Sequence, residues 1–247
     1  MNDFRNPSIW SCDTSLGGRL RVCQSRQGYR FSIDALILAF HAVPLSPRER
    51  ILDLGTGCGI IPLVMAYRFP DVAITGVEIQ PELAALARFN VEENGFAHRI
   101  AILEDDYLRL RADAIDPPVD MVVANPPYRK PHSGRINPHH QRALARHEIA
   151  VSLKSLIQAI RRFLKTGGRA WMIYTVDRLP ELMDGMQAHN LAPKYLRMIH
   201  SRRDADAKRC LLKVIKGAKS GLAAGPPLVI YQDAGQYTDE AASILGM

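Results

Sequence analysis

Arg50-Ile51-Leu52-Asp53-Leu54 runs directly into Gly55-Thr56-Gly57-Cys58-Gly59, and the fold class turns on this stretch. An apolar run of strand length ends in a glycine cluster, and Ile60–Tyr67 beyond it reads as a helix. Glycine tolerates positive φ and close backbone approach, so such a junction offers backbone N–H groups to a ligand at a helix N-terminus. The same rhythm continues outward. Val72–Val77 reads as a strand, and Pro81 opens a helix that Asn94-Gly95 closes. Ile100–Leu103 and Met121–Ala124 are further strands. Leu153, Leu156, Ile157, Ile160, Phe163 and Leu164 carry helical spacing, closed by Gly167-Gly168 ahead of a strand at Ala170–Val176. Alternation of this kind predicts βαβ units and a parallel sheet. Lys194–His200 and Arg209–Ile215, joined by the polar Ser201–Lys208 without a helix, read as an antiparallel pair. Leu20–Ser32 reads as a hairpin before the helix Ile33–Ala42. The expected fold is α/β, with a seven-stranded, mostly parallel sheet and an antiparallel C-terminal strand.

The bulk properties agree. The chain has 247 residues, 47% hydrophobic and 23% charged, which suits one α/β domain and excludes a disordered tail, a collagen-like repeat or a small disulfide scaffold. Residues 1–46 are expected to form a hairpin–helix cover and residues 47–247 the core of a single domain. No apolar stretch approaches the ~20 residues of a membrane span, and Met1–Ser11 is polar, so a cytoplasmic protein without a membrane partner is expected. Cys12, Cys23, Cys58 and Cys210 form no CxxC pair. They read as four reduced thiols, with neither a zinc site nor a disulfide.

Charge is distributed unevenly. Residues 1–124 hold 12 Arg against 16 acids, a balance of −4, whereas residues 125–247 hold 20 basic residues against 9 acids, a balance of +11. Such asymmetry suggests a polyanion lying against one side. Arg129–His147 adds to it, a long polar segment with Arg129, Lys130, Arg135, Arg142 and Arg146 and no acid before Glu148. The adjacent His139 and His140 point apart and offer no metal-ligand spacing, so no metal is expected.

Two motifs carry chemistry. In the first, Asp53 precedes glycines at 55, 57 and 59, while a nicotinamide fingerprint would want a glycine where Ile60 stands. Glu78 ends the next strand, where a carboxylate can accept both hydroxyls of a ribose. The G-x-G-x-G spacing resembles motif I of class I S-adenosylmethionine (SAM) methyltransferases. In the second, Asn125-Pro126-Pro127-Tyr128 follows the apolar Val122-Val123-Ala124. It resembles the (N/D)PPY motif of methyltransferases acting on an amino nitrogen conjugated to a π system. An adenine-type amine is a poor nucleophile because its lone pair is delocalised. The Asn125 side-chain carbonyl and the Pro126 backbone carbonyl can accept its hydrogens and turn that lone pair toward an activated methyl group. The prolines fix φ, and Tyr128 can stack on a flat substrate.

Over nearly its whole length the chain resembles the tRNA1(Val) (adenine(37)-N6)-methyltransferase family. Besides both motifs, the resemblance rests on Arg30-Phe31-Ser32-Ile33-Asp34-Ala35-Leu36-Ile37-Leu38-Ala39, Pro227-Leu228-Val229-Ile230-Tyr231 and Tyr237-Thr238-Asp239-Glu240-Ala241. It implies a class I SAM-dependent (Rossmann-like) methyltransferase fold and methylation of the N6 amine of a tRNA adenine, with S-adenosylhomocysteine as product. It implies that Asp53, Gly55, Gly57, Gly59 and Glu78 hold SAM, with Arg30 and Asp34 near its amino-acid end and Asn125 beside the methyl group. An aspartate after the third strand would accept the adenine amine of SAM. Glu104-Asp105-Asp106 offers three acids, of which Asp106 is preferred and Asp105 is the runner-up. The cations at 129, 130, 135, 142 and 146 would contact phosphates around the inserted base. No obligate protein partner is called for. Release-factor glutamine methylation, DNA or ribosomal RNA methylation, and a non-catalytic SAM- or RNA-binding module are the alternatives.

Overall fold

The computed structural model describes residues 3–27, 30–126, 153–232 and 235–247. The chain opens with a hairpin of β1 (Trp10–Ser15) and β2 (Leu20–Ser25), followed by α1 (Ile33–His41). The central rhythm is β3 (Arg50–Leu54), α2 (Ile60–Arg68), β4 (Ala73–Glu78), α3 (Pro81–Glu93), β5 (Ile100–Glu104) and β6 (Val119–Ala124). Then come α4 (Leu153–Phe163), β7 (Leu164–Thr175), α5 (Leu179–Ala188), β8 (Leu191–His200) and β9 (Ala207–Lys216). The two-residue strands β10 (Ala223–Ala224) and β11 (Leu228–Val229) and the helix α6 (Asp239–Leu245) end the chain.

The main sheet has the order β10-β8-β9-β7-β6-β3-β4-β5, with β11 also on β8. β3 through β7 are parallel neighbours, and β9 alone among the seven long strands runs against them. The fold class read from the sequence is therefore present, with β10 and β11 as small additions. Both faces of the centre are covered, which is why its strands read as continuous apolar runs. Ile51, Met121 and Val123 pack toward α1, α2 and α3, while Leu52, Leu54, Val122 and Ala124 pack toward α4 and α5. Strand order reverses at β3, which has β4 on one side and β6 on the other. The crevice at the carboxyl ends of these strands is where open α/β sheets bind ligands.

Four expectations are corrected. The hairpin lies earlier than Leu20–Ser32, because Gly17 (φ 63°) and Gly18 (φ 85°) supply its turn. Gly167-Gly168 does not close α4. The helix ends at Phe163, and the glycines sit in an irregular first stretch of β7, where the register to β6 shifts. The sequence reading has no helix between Val176 and Lys194, yet α5 occupies that interval and buries Leu179, Leu182 and Met186 at helical spacing. Finally, Cys12 and Cys23 are not reduced. They are direct cross-strand partners in the hairpin and are joined by a disulfide, leaving Cys58 and Cys210 as buried thiols. Pairing across two strands follows from hairpin register, which cysteine spacing alone does not reveal.

The C-terminal tail is held by a buried cation. Arg197 on β8 donates to both Glu240 carboxylate oxygens at 2.6 and 2.8 Å and to the Pro226 carbonyl at 2.7 Å, and it lies 2.9 Å from His41 Nε2. Thr238 caps α6 through the Ala241 N–H and donates to the Val229 carbonyl. The tail residues of the family resemblance thus pack against α1 and β8. Among the described residues no helix is long and apolar enough to cross a membrane.

Candidate active site

β3 and β6 end side by side, with Leu54 paired to Ala124, so the chain leaves them as Gly55 and Asn125 at one edge of the crevice. Asn125 is half-buried and Pro126 is buried. Pro127, Tyr128 and the cations Arg129, Lys130, Arg135, Arg142 and Arg146 lie outside the described residues.

Asp53 is wholly buried at the end of β3, and neither carboxylate oxygen has a hydrogen-bond partner among the described residues; the Thr56 hydroxyl is likewise unpartnered. Burial pushes the Asp53 carboxyl up to about 7; the nearby Thr56 hydroxyl opposes this and the charge of Glu78 adds to it. An orphaned buried acceptor is costly unless a donor completes it. The donor set of a nucleoside or an amino acid suits this place.

The glycine turn differs in one respect from the sequence reading. Four of its five N–H groups are already bonded within the protein. Those of Gly55 and Thr56 donate to the Val77 carbonyl at 2.9 and 3.0 Å, that of Gly57 to Glu78 Oε2 at 2.8 Å and that of Gly59 to the Thr56 carbonyl at 3.0 Å. What the glycines provide is room. Gly55 has φ +78°, and a Cβ there would meet nothing within 4 Å, whereas one at Gly59 would come within 3.3 Å of Ala87 Cβ. Gly55 therefore borders open space, while Gly59 lets α2 lie close on α3.

Glu78 is buried at the end of β4, and its other oxygen accepts from the Gln80 N–H at 3.0 Å. The two backbone donors fix the carboxylate beside the turn. Asp105 is exposed and accepts from the Asp106 N–H at 2.7 Å. Asp106 is half-buried, accepts from the Leu108 N–H at 2.9 Å and pairs with Arg109 at 3.5 Å. Arg30 donates to Ser11 Oγ at 2.6 Å and Asp13 at 3.1 Å, joining the segment after the hairpin to β1. Asp34, in the first turn of α1, pairs with Arg209 of β9 at 3.3 Å. That partner is absent from the sequence reading, as are Thr56 and Asn90. Asn90 was legible in principle, because it stands among Leu83, Ala84, Leu86, Ala87 and Val91, a polar residue on the buried stripe of α3. Among the described residues no cluster of three or more potential metal ligands occurs.

Residues 32–184 match the methyltransferase small domain family. A tRNA1(Val) (adenine(37)-N6)-methyltransferase from Porphyromonas gingivalis is 32% identical over 197 residues, 78% of this chain and 76% of its own. One from Pedobacter heparinus is 30% identical over 224 residues, 90% of this chain and 91% of its own. The chain belongs to this methyltransferase family. Its fold agrees. A crystal structure of a predicted O-methyltransferase from Agrobacterium tumefaciens superposes with a TM-score of 0.67 at 26% identity, covering 85% of this chain and 94% of that one. Asp53, Gly55, Glu78 and Asn125 fall at the carboxyl ends of the adjacent strands β3, β4 and β6, and the N-terminal hairpin is joined to the turn through Asn90, which bonds both Cys23 and Cys58.

Proposed function

We infer that this methyltransferase transfers a methyl group from SAM to the N6 amine of a tRNA adenine, with adenosine 37 of a valine tRNA as the position for which its relatives are named. The observation that carries the reading is the adjacency of two strand ends, one bearing the orphaned Asp53 and the glycine turn, the other bearing Asn125-Pro126. When bound, SAM supplies a methyl group already activated on a sulfonium.

The chain's own residues supply binding and alignment. Asp53 and Glu78 are assigned to the cofactor, Asp53 by oxygens that have no partner among the described residues and Glu78 by a carboxylate pre-oriented by the Gly57 and Gln80 N–H groups. Gly55, Gly57 and Gly59 shape the cradle. Arg30 and Asp34 are assigned to the amino-acid end, and Asp106, with Asp105 as the alternative, to the adenine amine. Asn125 and the Pro126 carbonyl accept the hydrogens of the substrate amine, and Tyr128 stacks on the base while Pro127 stiffens the turn. The hairpin and α1, within residues 1–46, act as the cover of the pocket on a core of residues 47–247. The basic half of the chain, with Arg129, Lys130, Arg135, Arg142 and Arg146, is assigned to phosphates around the inserted base. No metal enters this scheme.

The test is incubation with labelled SAM and total tRNA, followed by mapping of the modified nucleoside. Label in N6-methyladenosine next to the anticodon supports the reading. Label in a glutamine of a release-factor fragment, and none in RNA, overturns it.

A further inference from the structure

Asn90 is wholly buried on α3, 67 residues from the hairpin and 32 from the turn it touches. Its side-chain carbonyl accepts from the Cys23 N–H at 2.8 Å, and its amide nitrogen donates to the Cys23 carbonyl at 3.0 Å and the Cys58 carbonyl at 2.9 Å. Both amide hydrogens are thus used, one on the N-terminal hairpin and one on the glycine turn. Cys58 stands between Gly57 and Gly59 in that turn. Its carbonyl is held by Asn90, while the N–H on the far side of the same peptide, that of Gly59, is held by the Thr56 carbonyl at 3.0 Å. The peptide plane is therefore gripped from both sides. A buried polar group with every hydrogen spent specifies a single arrangement, because any alternative leaves an unpaired group in a dry site.

We propose that Asn90 is a positioning residue that locks the N-terminal hairpin to the glycine turn, so that cover and cofactor cradle form one unit. For its effect on SAM this rests on the cofactor reading above; the coupling of hairpin and turn does not. In N90L all three partners lose their bonds in an apolar setting. In the isosteric N90D, an ionised carboxylate still accepts from the Cys23 N–H but faces the two carbonyls without a donor.

The experiment measures amide hydrogen exchange and SAM affinity in wild type, N90D and N90L, with L182A as a control. Leu182 is a fully buried residue of α5, in the core cluster on the opposite face of the sheet from Cys58. The expected result is faster exchange across both residues 20–25 and 55–59 in the Asn90 variants, with β7 to β9 protected as in wild type. SAM binding should weaken about tenfold or more, the scale of at least one lost buried hydrogen bond, with kcat at saturating SAM changed far less. L182A should lose stability without moving either readout. If N90L does not fold, N90D carries the test. Faster exchange in the hairpin alone, or uniformly through the chain, overturns the proposal, as does a matching loss of SAM affinity in L182A. If wild type binds no SAM, the cofactor reading falls and the exchange pattern still decides the coupling.

Discussion

The Gly57 N–H donates to the Glu78 carboxylate at 2.8 Å, so the motif I turn and the end of β4 are one hydrogen-bonded piece. Glu78 therefore fixes the turn, and under the proposed function it also accepts from the cofactor.

E78A should weaken SAM binding by about one to two orders of magnitude, since charge-assisted hydrogen bonds contribute roughly 1.5–3 kcal/mol. E78Q keeps an acceptor for one backbone donor and should fall between wild type and E78A. Titration calorimetry on folded variants checks both, and an E78A affinity equal to wild type removes Glu78 from the site.

Asp53 predicts a trade between stability and binding. Burial holds its carboxyl at about 7 in the folded protein, against an ordinary 3.8. The folded state therefore prefers the proton, so the stability it confers is complete below pH 3.8 and is lost as pH rises through about 7. D53N stays neutral and should be more stable than wild type above pH 7, by on the order of 1–4 kcal/mol. It should also bind SAM more weakly and lack the rise in affinity that ionisation of Asp53 gives wild type over the same window. Urea unfolding at pH 5 and pH 8, paired with SAM titrations, reads both effects. Equal stability of the two proteins at pH 8 would contradict the cost assigned to the buried charge.

Asn125 is assigned an interaction made mainly in the transition state. N125A should lower kcat at least ~10²-fold, the scale of losing one preorganised polar group, with SAM and tRNA affinity nearly intact. Single-turnover kinetics alongside equilibrium binding distinguish this from a binding defect, which would raise KM and leave kcat near normal.

Binding of tRNA should release counterions, so log K should fall linearly with log[salt]. Alanine at each of Arg129, Lys130, Arg135, Arg142 and Arg146 that touches a phosphate should reduce the slope by about one. Filter binding from low to physiological salt measures it. A flat salt response with unaltered variants would sink the RNA role of this segment.

Removing the buried Arg197 should loosen the tail. R197A leaves the Pro226 carbonyl and Glu240 without their shared donor. A loss of about 2–4 kcal/mol is expected, since breaking a buried pair strands its partners, with the lower end favoured because Glu240 is about half exposed. Denaturant unfolding checks the loss, and limited proteolysis should cut the variant after Gly225.

What the sequence determined by itself is what local pattern encodes. Apolar runs and helical spacing gave the strands and helices from Arg50 to Thr175, and the glycine cluster and Asn125-Pro126 fell at the ends of neighbouring parallel strands because those motifs directly follow their strands. Elements lacking a clear period or stop signal were misplaced or missed. The hairpin turn lay at Gly17-Gly18 rather than beyond Leu20, and α5 had only a short apolar stripe starting at Leu179-Pro180. Tertiary structure alone decided which polar groups are paired. The N–H groups of Gly55, Thr56, Gly57 and Gly59 are spent on Val77, Glu78 and Thr56, and Asp53 has no hydrogen-bond partner among the described residues. Asn90 reaches Cys23 and Cys58, Arg209 meets Asp34, and Cys12 faces Cys23. Period and propensity act over a few residues, whereas a buried hydrogen bond or a cross-strand pair depends on which distant segments the packed sheet brings within about 3 Å of each other.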